Sequence, residues 1–158
     1  MSEMNFDQEF ERGAASVIGP KIREKLALGE TVTLQISGDS MRPTLHPRRD
    51  AVVLENLKQW PPKKGEILFF QRESGGYVLH RVIKVVGEGC IVNGDAQTWT
   101  EGPVTQEMSI ARASALIRNG RVINADNLLY RMLLRAWGIT RPLRFKMFAL
   151  WRKVKGVE

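Results

Sequence analysis

The chain has 158 residues with 24 Lys and Arg, 17 Asp and Glu, two His and one Cys, a length that supports one buried core and little more. Two His and one Cys are fewer ligands than a structural zinc site needs, and Cys90 has no second cysteine to bond with in this chain, so no internal disulfide forms. The net charge of +7 would suit a nucleic-acid binder if it were spread evenly, but ten of the basic and two of the acidic residues lie between Arg118 and Glu158, a local +8 beside −1 for residues 1–117.

In chain order, Phe6, Phe10, Ala14, Val17, Ile18, Ile22 and Leu26 recur at helical spacing and predict an amphipathic helical arm over 1–30. Charged residues from Glu3 to Lys25 break this segment far short of the roughly 18 apolar residues of a membrane span, and it lacks the basic start and apolar run of a signal peptide. From Thr31 the period changes to two. Val32, Leu34 and Ile36 alternate with polar residues and predict a strand that runs into the loop Ser37 to Arg49. Further strands are expected at Ala51 to Glu55, Ile67 to Gln71, Tyr77 to Val86, Cys90 to Val92 and Met108 to Ile117. Pro61, Pro62 and Gly65 mark a turn, Ser74-Gly75-Gly76 joins two strands, and Asn119-Gly120 is a strong hairpin signal. The expected fold over 31–124 is mainly β and antiparallel.

Beyond Asp126, read as a helix N-cap, Leu128, Leu129, Met132, Leu133, Ala136 and Trp137 form one helical face beside Arg131 and Arg135, with Gly138 and Pro142 ending it. A second basic, aromatic-rich helix is expected from Leu143 to Val154. Residues 125–158 thus form a basic amphipathic tail. It suits an anionic membrane surface, with packing on the β domain as the other reading for its first helix. Nucleic acid ranks third, because the basic residues follow no recognised reading motif.

The densest group of small and polar residues is Ser37-Gly38-Asp39-Ser40-Met41-Arg42-Pro43-Thr44-Leu45. Such residues make ordinary polar turns for conformational reasons alone. A serine hydroxyl in a small-residue loop also suits nucleophilic catalysis, if a base takes its proton and backbone N–H groups receive the oxyanion. His80 offers such a base near neutral pH, or else is a strand histidine satisfied by a carbonyl. Asp95 offers a carboxylate to hold the imidazole, or else is a Gly-Asp turn residue.

Ser40 to Leu45, then Gly65-Glu66-Ile67-Leu68-Phe69-Phe70, then His80-Arg81-Val82-Ile83, then Gly94-Asp95 resemble, in order, the boxes of the type I signal peptidase family over roughly residues 34 to 105. The His80-Arg81-Val82 strand is similar to the histidine type found in the endoplasmic reticulum and archaea, whereas bacterial enzymes and the related self-cleaving repressors carry a lysine base. The loop Ser37-Gly38-Asp39-Ser40-Met41 is spaced more like the repressor branch.

The resemblance implies coiled antiparallel sheets with helical terminal segments and a serine endopeptidase with Ser40 as nucleophile, His80 as general base and Asp95 as orienting carboxylate. Its substrate would be a peptide or precursor protein, bound as an added strand and cut between small residues, without a cofactor or metal. The Ser40 N–H is the expected oxyanion donor, with the Ser37 hydroxyl as the alternative. Glu101 falls roughly where the family has a second acid. Lys84, four residues after His80, is expected to share its face, and His46 to sit exposed on the loop rim. Arg42, Arg48 and Arg49 neighbour the nucleophile; Ser74 and Ser109 lack motif context. Two other readings stand beside the peptidase. One is a silent peptide-binding or membrane-surface adaptor; the other is a self-cleaving peptidase, for which Gly13-Ala14-Ala15-Ser16 is the one small-residue segment upstream. The expected location is cytoplasmic, peripheral at the inner face of the membrane.

Overall fold

The computed structural model describes residues 15–139. The expectations for Phe6, Phe10, Ala14, Pro142 and the helix from Leu143 to Val154 lie outside them. The described chain is mainly β, an eight-stranded antiparallel sheet. Helix α1 (Ala15–Ala27) leads into β1 (Val32–Gln35), β2 (Asp50–Glu55), β3 (Ile67–Gln71), β4 (Tyr77–Val86), β5 (Gly89–Asn93), β6 (Glu101–Val104), β7 (Ser109–Arg118) and β8 (Arg121–Asn124), and helix α2 (Leu128–Ile139) follows. The strand order is β1-β2-β7-β3-β4-β5-β6, with β8 paired to β7.

Alternation along β3 explains why the sheet carries two cores. Ile67 and Phe69 face a cluster with Val32, Leu34, Val52, Leu54 and Ala111, while Leu68 and Phe70 face one with Val82, Cys90, Val92 and Val104. Each large buried side chain contributes about 1.5–3 kcal/mol by leaving water. Helix α1 covers the first cluster with Ile18, Ile22 and Leu26, one stripe at i, i+4 and i+8. It packs closely on the start of β4, since a Cβ at Gly19 would lie about 2.0 Å from the Tyr77 ring. Register shifts at Val53/Leu54, Phe69/Phe70, Val82/Lys84 and Cys90/Val92 interrupt the ladders, as bulges do where a sheet bends.

Three details depart from the sequence reading. Strand β6 was not expected, because Gly102 and Pro103 interrupt it; it is an end strand, where proline is tolerated. The N-cap of α2 is Asn127, whose Oδ1 accepts the Tyr130 N–H at 3.2 Å, because Asp126 is engaged by Arg112 and Lys58. Gly138 lies inside α2 rather than ending it. The Asn119-Gly120 turn is as expected, both residues having positive φ. Among the described residues no helix is long and apolar enough to cross a membrane.

Candidate active site

Loop 37–49 leaves β1 and returns to β2 over a short span. The Arg48 N–H donates to the Ile36 carbonyl at 2.9 Å and the Ile36 N–H to the Asp50 carbonyl at 3.0 Å. Met41 and Leu45 are buried beneath it and hold it to the core, which lifts Ser40 into a groove of about 260 Å³. Ser37, Gly38, Ser40 and Met41 of the loop line this groove together with Tyr77, Val78, Leu79 and His80 of β4 and with Phe69, Arg72 and Gln97. Leu34, Gln35 and Ile36, the end of β1 and its next residue, continue it. The structure thus brings Ser40 and His80 to one groove, with no hydrogen bond between them.

Two strand edges flank the groove. Among the described residues β1 pairs only with β2, and residues 77–80 of β4 pair only with β3, since the β4–β5 ladder begins at Arg81. The Ser40 N–H donates no hydrogen bond among the described residues.

His80 pairs with Leu68 and shares its face, packing 6.2 Å from the Phe70 ring. The ladder that aligns Val82 with Val92 and Val92 with Glu101 sets Glu101 on the same face. Its Oε2 lies 3.4 Å from His80 Nδ1, within ion-pair range but without the alignment of a formed hydrogen bond, so this buried nitrogen has no hydrogen-bond partner among the described residues. Arg72 grips both oxygens of Glu101, Nε to Oε1 at 2.5 Å and Nη2 to Oε2 at 2.8 Å. Burial lowers the His80 pKa below its ordinary 6.5, with Arg72 adding to the fall and the charges of Glu101 and Asp95 opposing it. The Arg72 hydrogen bonds hold Glu101 below the usual carboxylate range. Burial therefore favours the neutral imidazole, beside a carboxylate whose ionised form the Arg72 contacts favour.

Asp95 is placed elsewhere. The expected contact with His80 is not made, because Arg81 captures the carboxylate in a two-pronged pair, Nε to Oδ1 at 2.8 Å and Nη2 to Oδ2 at 2.6 Å, and the Thr44 hydroxyl bonds Oδ2 as well. Arg81 also donates to the Gly65 carbonyl at 2.9 Å and reaches the Thr44 hydroxyl at 3.4 Å. One buried arginine thus ties together all the sequence boxes that surround the groove. Gly94 completes the joint: a Cβ there would lie 2.6 Å from the Ser40 carbonyl oxygen, which accepts the Ala96 N–H at 2.9 Å. Loop 37–49 rests directly on the Gly94-Asp95 turn.

The remaining expectations sort by position. Lys84 does not share the face of His80: the bulge between Val82 and Lys84 pairs it with Ile91, on the opposite face from Val92, and leaves it exposed. His46 is half-buried rather than exposed, its N–H donating to Asp50 Oδ2 at 2.9 Å, and it does not line the groove. Asp39 and Arg42 pair with each other at 2.6 Å on the surface, and Pro43 is exposed beside them. Arg49 binds Asp50, Arg48 takes a positive φ of 64°, and Ser74 sits in the exposed β3–β4 turn. Ser109 lines a separate cavity with Trp60 and Asn56. Arg72, Thr44 and Gln97 carry contacts that the sequence reading did not assign. Burial pushes the Cys90 thiol up to about 11, and among the described residues no three potential metal ligands cluster.

No protein-family model matches the chain, and no curated protein sequence matches it significantly.

Proposed function

We propose that the chain is a serine endopeptidase with Ser40 as nucleophile and His80 as general base and acid. The observation that carries this reading is that a loop serine and a buried histidine, whose pKa burial lowers, line one groove. With Nδ1 turned toward Glu101, Nε2 is the nitrogen left to take the Ser40 proton. As the serine oxygen bonds to the scissile carbonyl carbon, the carbonyl electron pair moves onto its oxygen, which accepts from the otherwise unbonded Ser40 N–H in this reading. The imidazolium then returns its proton to the leaving amine, and water cleaves the acyl-serine by the same steps in reverse order. Glu101 takes the role expected of Asp95, stabilising the imidazolium, while Asp95 braces the loop through Arg81.

The groove supports an extended peptide as substrate. The strand edges of β1 and of residues 77–80 offer backbone partners on either side, as in strand addition. Leu34, Phe69, Tyr77 and Leu79 crowd the space between them, which favours small side chains near the cut.

The test compares wild type with Ser40→Ala on fluorogenic peptides that carry small residues around the cleavage point. Wild-type cleavage, lost by about 10³-fold or more in the variant, is the expected result. Equal inactivity on every peptide, with tight peptide binding retained by both proteins, would instead leave a binding module.

A further inference from the structure

The Arg131 and Arg135 side of α2 borders an apolar face that is exposed among the described residues. Leu128, Leu129, Met132, Leu133 and Ile139 are between 56% and 78% exposed. With Ala136 they fall within about 140° of the helix circumference, at about 3.6 residues per turn. The helix is held in this orientation from below: Asn127 caps its first turn, and Tyr130, on the opposite side, packs against the α1 core cluster with its hydroxyl buried. The helix cannot roll its leucines inward without withdrawing Tyr130. A contiguous exposed apolar stripe of this kind marks a contact face.

We infer that α2 is an interfacial helix that docks on an anionic lipid surface. Charge selects this occupant. Both exposed arginines lie along one border of the stripe, where their stems lie along apolar surface while the guanidinium groups reach headgroup phosphates. The helix contains no acidic residue. The sequence beyond it adds Arg141, Arg144, Lys146, Arg152, Lys153 and Lys155 before its first acid, Glu158. Val122, on the strand just before the helix, is also exposed, with Arg121 beside it. A protein partner would find no acidic residue on this helix with which to fix register, whereas a bilayer needs none. The inference does not rest on the peptidase reading, and Ser40→Ala is expected to bind lipid as wild type does.

Flotation of the full chain with vesicles of phosphatidylcholine, alone or mixed with phosphatidylglycerol, tests it. Binding is expected only to the mixed vesicles and is expected to fall as salt rises. The double variant Leu129→Ser/Leu133→Ser should weaken it by at least about tenfold. The double variant Arg131→Gln/Arg135→Gln should weaken it by about fivefold for each arginine removed. All four positions are exposed, and circular dichroism shows whether each variant is folded. Absence of flotation overturns the inference, as does flotation that both variants leave unchanged. It is equally overturned if sedimentation without lipid shows self-association that the leucine variant abolishes, because the occupant is then a second copy of the chain.

Discussion

His80 and Arg81 are neighbours on β4, and both are buried, yet they are treated in opposite ways. Arg81 points to one face of the sheet and has a carboxylate, a hydroxyl and a backbone carbonyl around its guanidinium. His80 points to the other, and its buried Nδ1 has a carboxylate near but no formed hydrogen bond among the described residues. A buried polar group without a formed partner costs free energy that a fully bonded one avoids. The difference separates two tasks on one strand. One face fixes the loop that carries Ser40; on the other, under the proposed mechanism, the ring keeps a nitrogen for the charge that develops beside it. Substitutions on the two faces should therefore fail differently.

The largest effect is expected on the bracing face. Arg81→Met leaves Asp95 buried beside Thr44 without its counter-charge, and breaking a buried pair in this way costs about 3–5 kcal/mol. Urea unfolding should show the loss as a lower midpoint, and heating as a Tm lower by about 10 °C in a domain of this length. The acid limb of peptide cleavage by the folded fraction should move less than it does on substitution of Glu101. A variant as stable as wild type would show that the Arg81 network is ornamental.

On the His80 face, Glu101→Gln should lower kcat/KM by about 10- to 100-fold with little loss of stability. The sign of the accompanying pH change follows from the charges. Glu101 raises the His80 pKa against the larger effect of burial, so its removal lets that pKa fall further, and the acid limb shifts to lower pH. The same depression governs stability. In the unfolded chain His80 takes its proton near 6.5, whereas the native chain resists it, so the unfolded state holds more protons just below that pH. This contribution to stability is complete above about 6.5 and is lost as pH falls below it. An acid limb that rises to higher pH in the variant, or a variant that unfolds as readily as Arg81→Met, would remove the distinction between the faces.

Much of this architecture was legible in the sequence because its signals are local. Ile67 to Gln71 and Tyr77 to Val86 are the observed bounds of β3 and β4, set by apolar runs between turn residues, and Asn119-Gly120 forms the turn it signals. Ser40 and His80 were legible as a pair from ordered motifs, and the groove joins them. The carboxylate was not. Choosing between Asp95 and Glu101 depends on how β6 registers on β5, and β6 itself was masked by Gly102 and Pro103. Arg72 carried no signal, since its effect on Glu101 arises only when the β3–β4 turn closes over β6. Pairing across strands decides which acid lies beside His80, and no stretch of chain contains that information by itself.

The smallest effect is expected at Lys84, and it tests the bulge on which the two-face comparison depends. Simple alternation places a residue four positions after His80 on the same face, with its amine available as an alternative base. The extra residue between Val82 and Lys84 reverses that parity, pairs Lys84 with Ile91 and turns it to solvent. Lys84→Ala should therefore leave peptide cleavage within about twofold of wild type, with stability within about 0.5 kcal/mol and the acid limb in place. A loss of activity comparable to that of Ser40→Ala, together with a wild-type rate that rises only above about pH 8, would move the base from His80 to Lys84. It would also mean that the strand is read without its bulge, and that the His80 face is wider than the ladder allows.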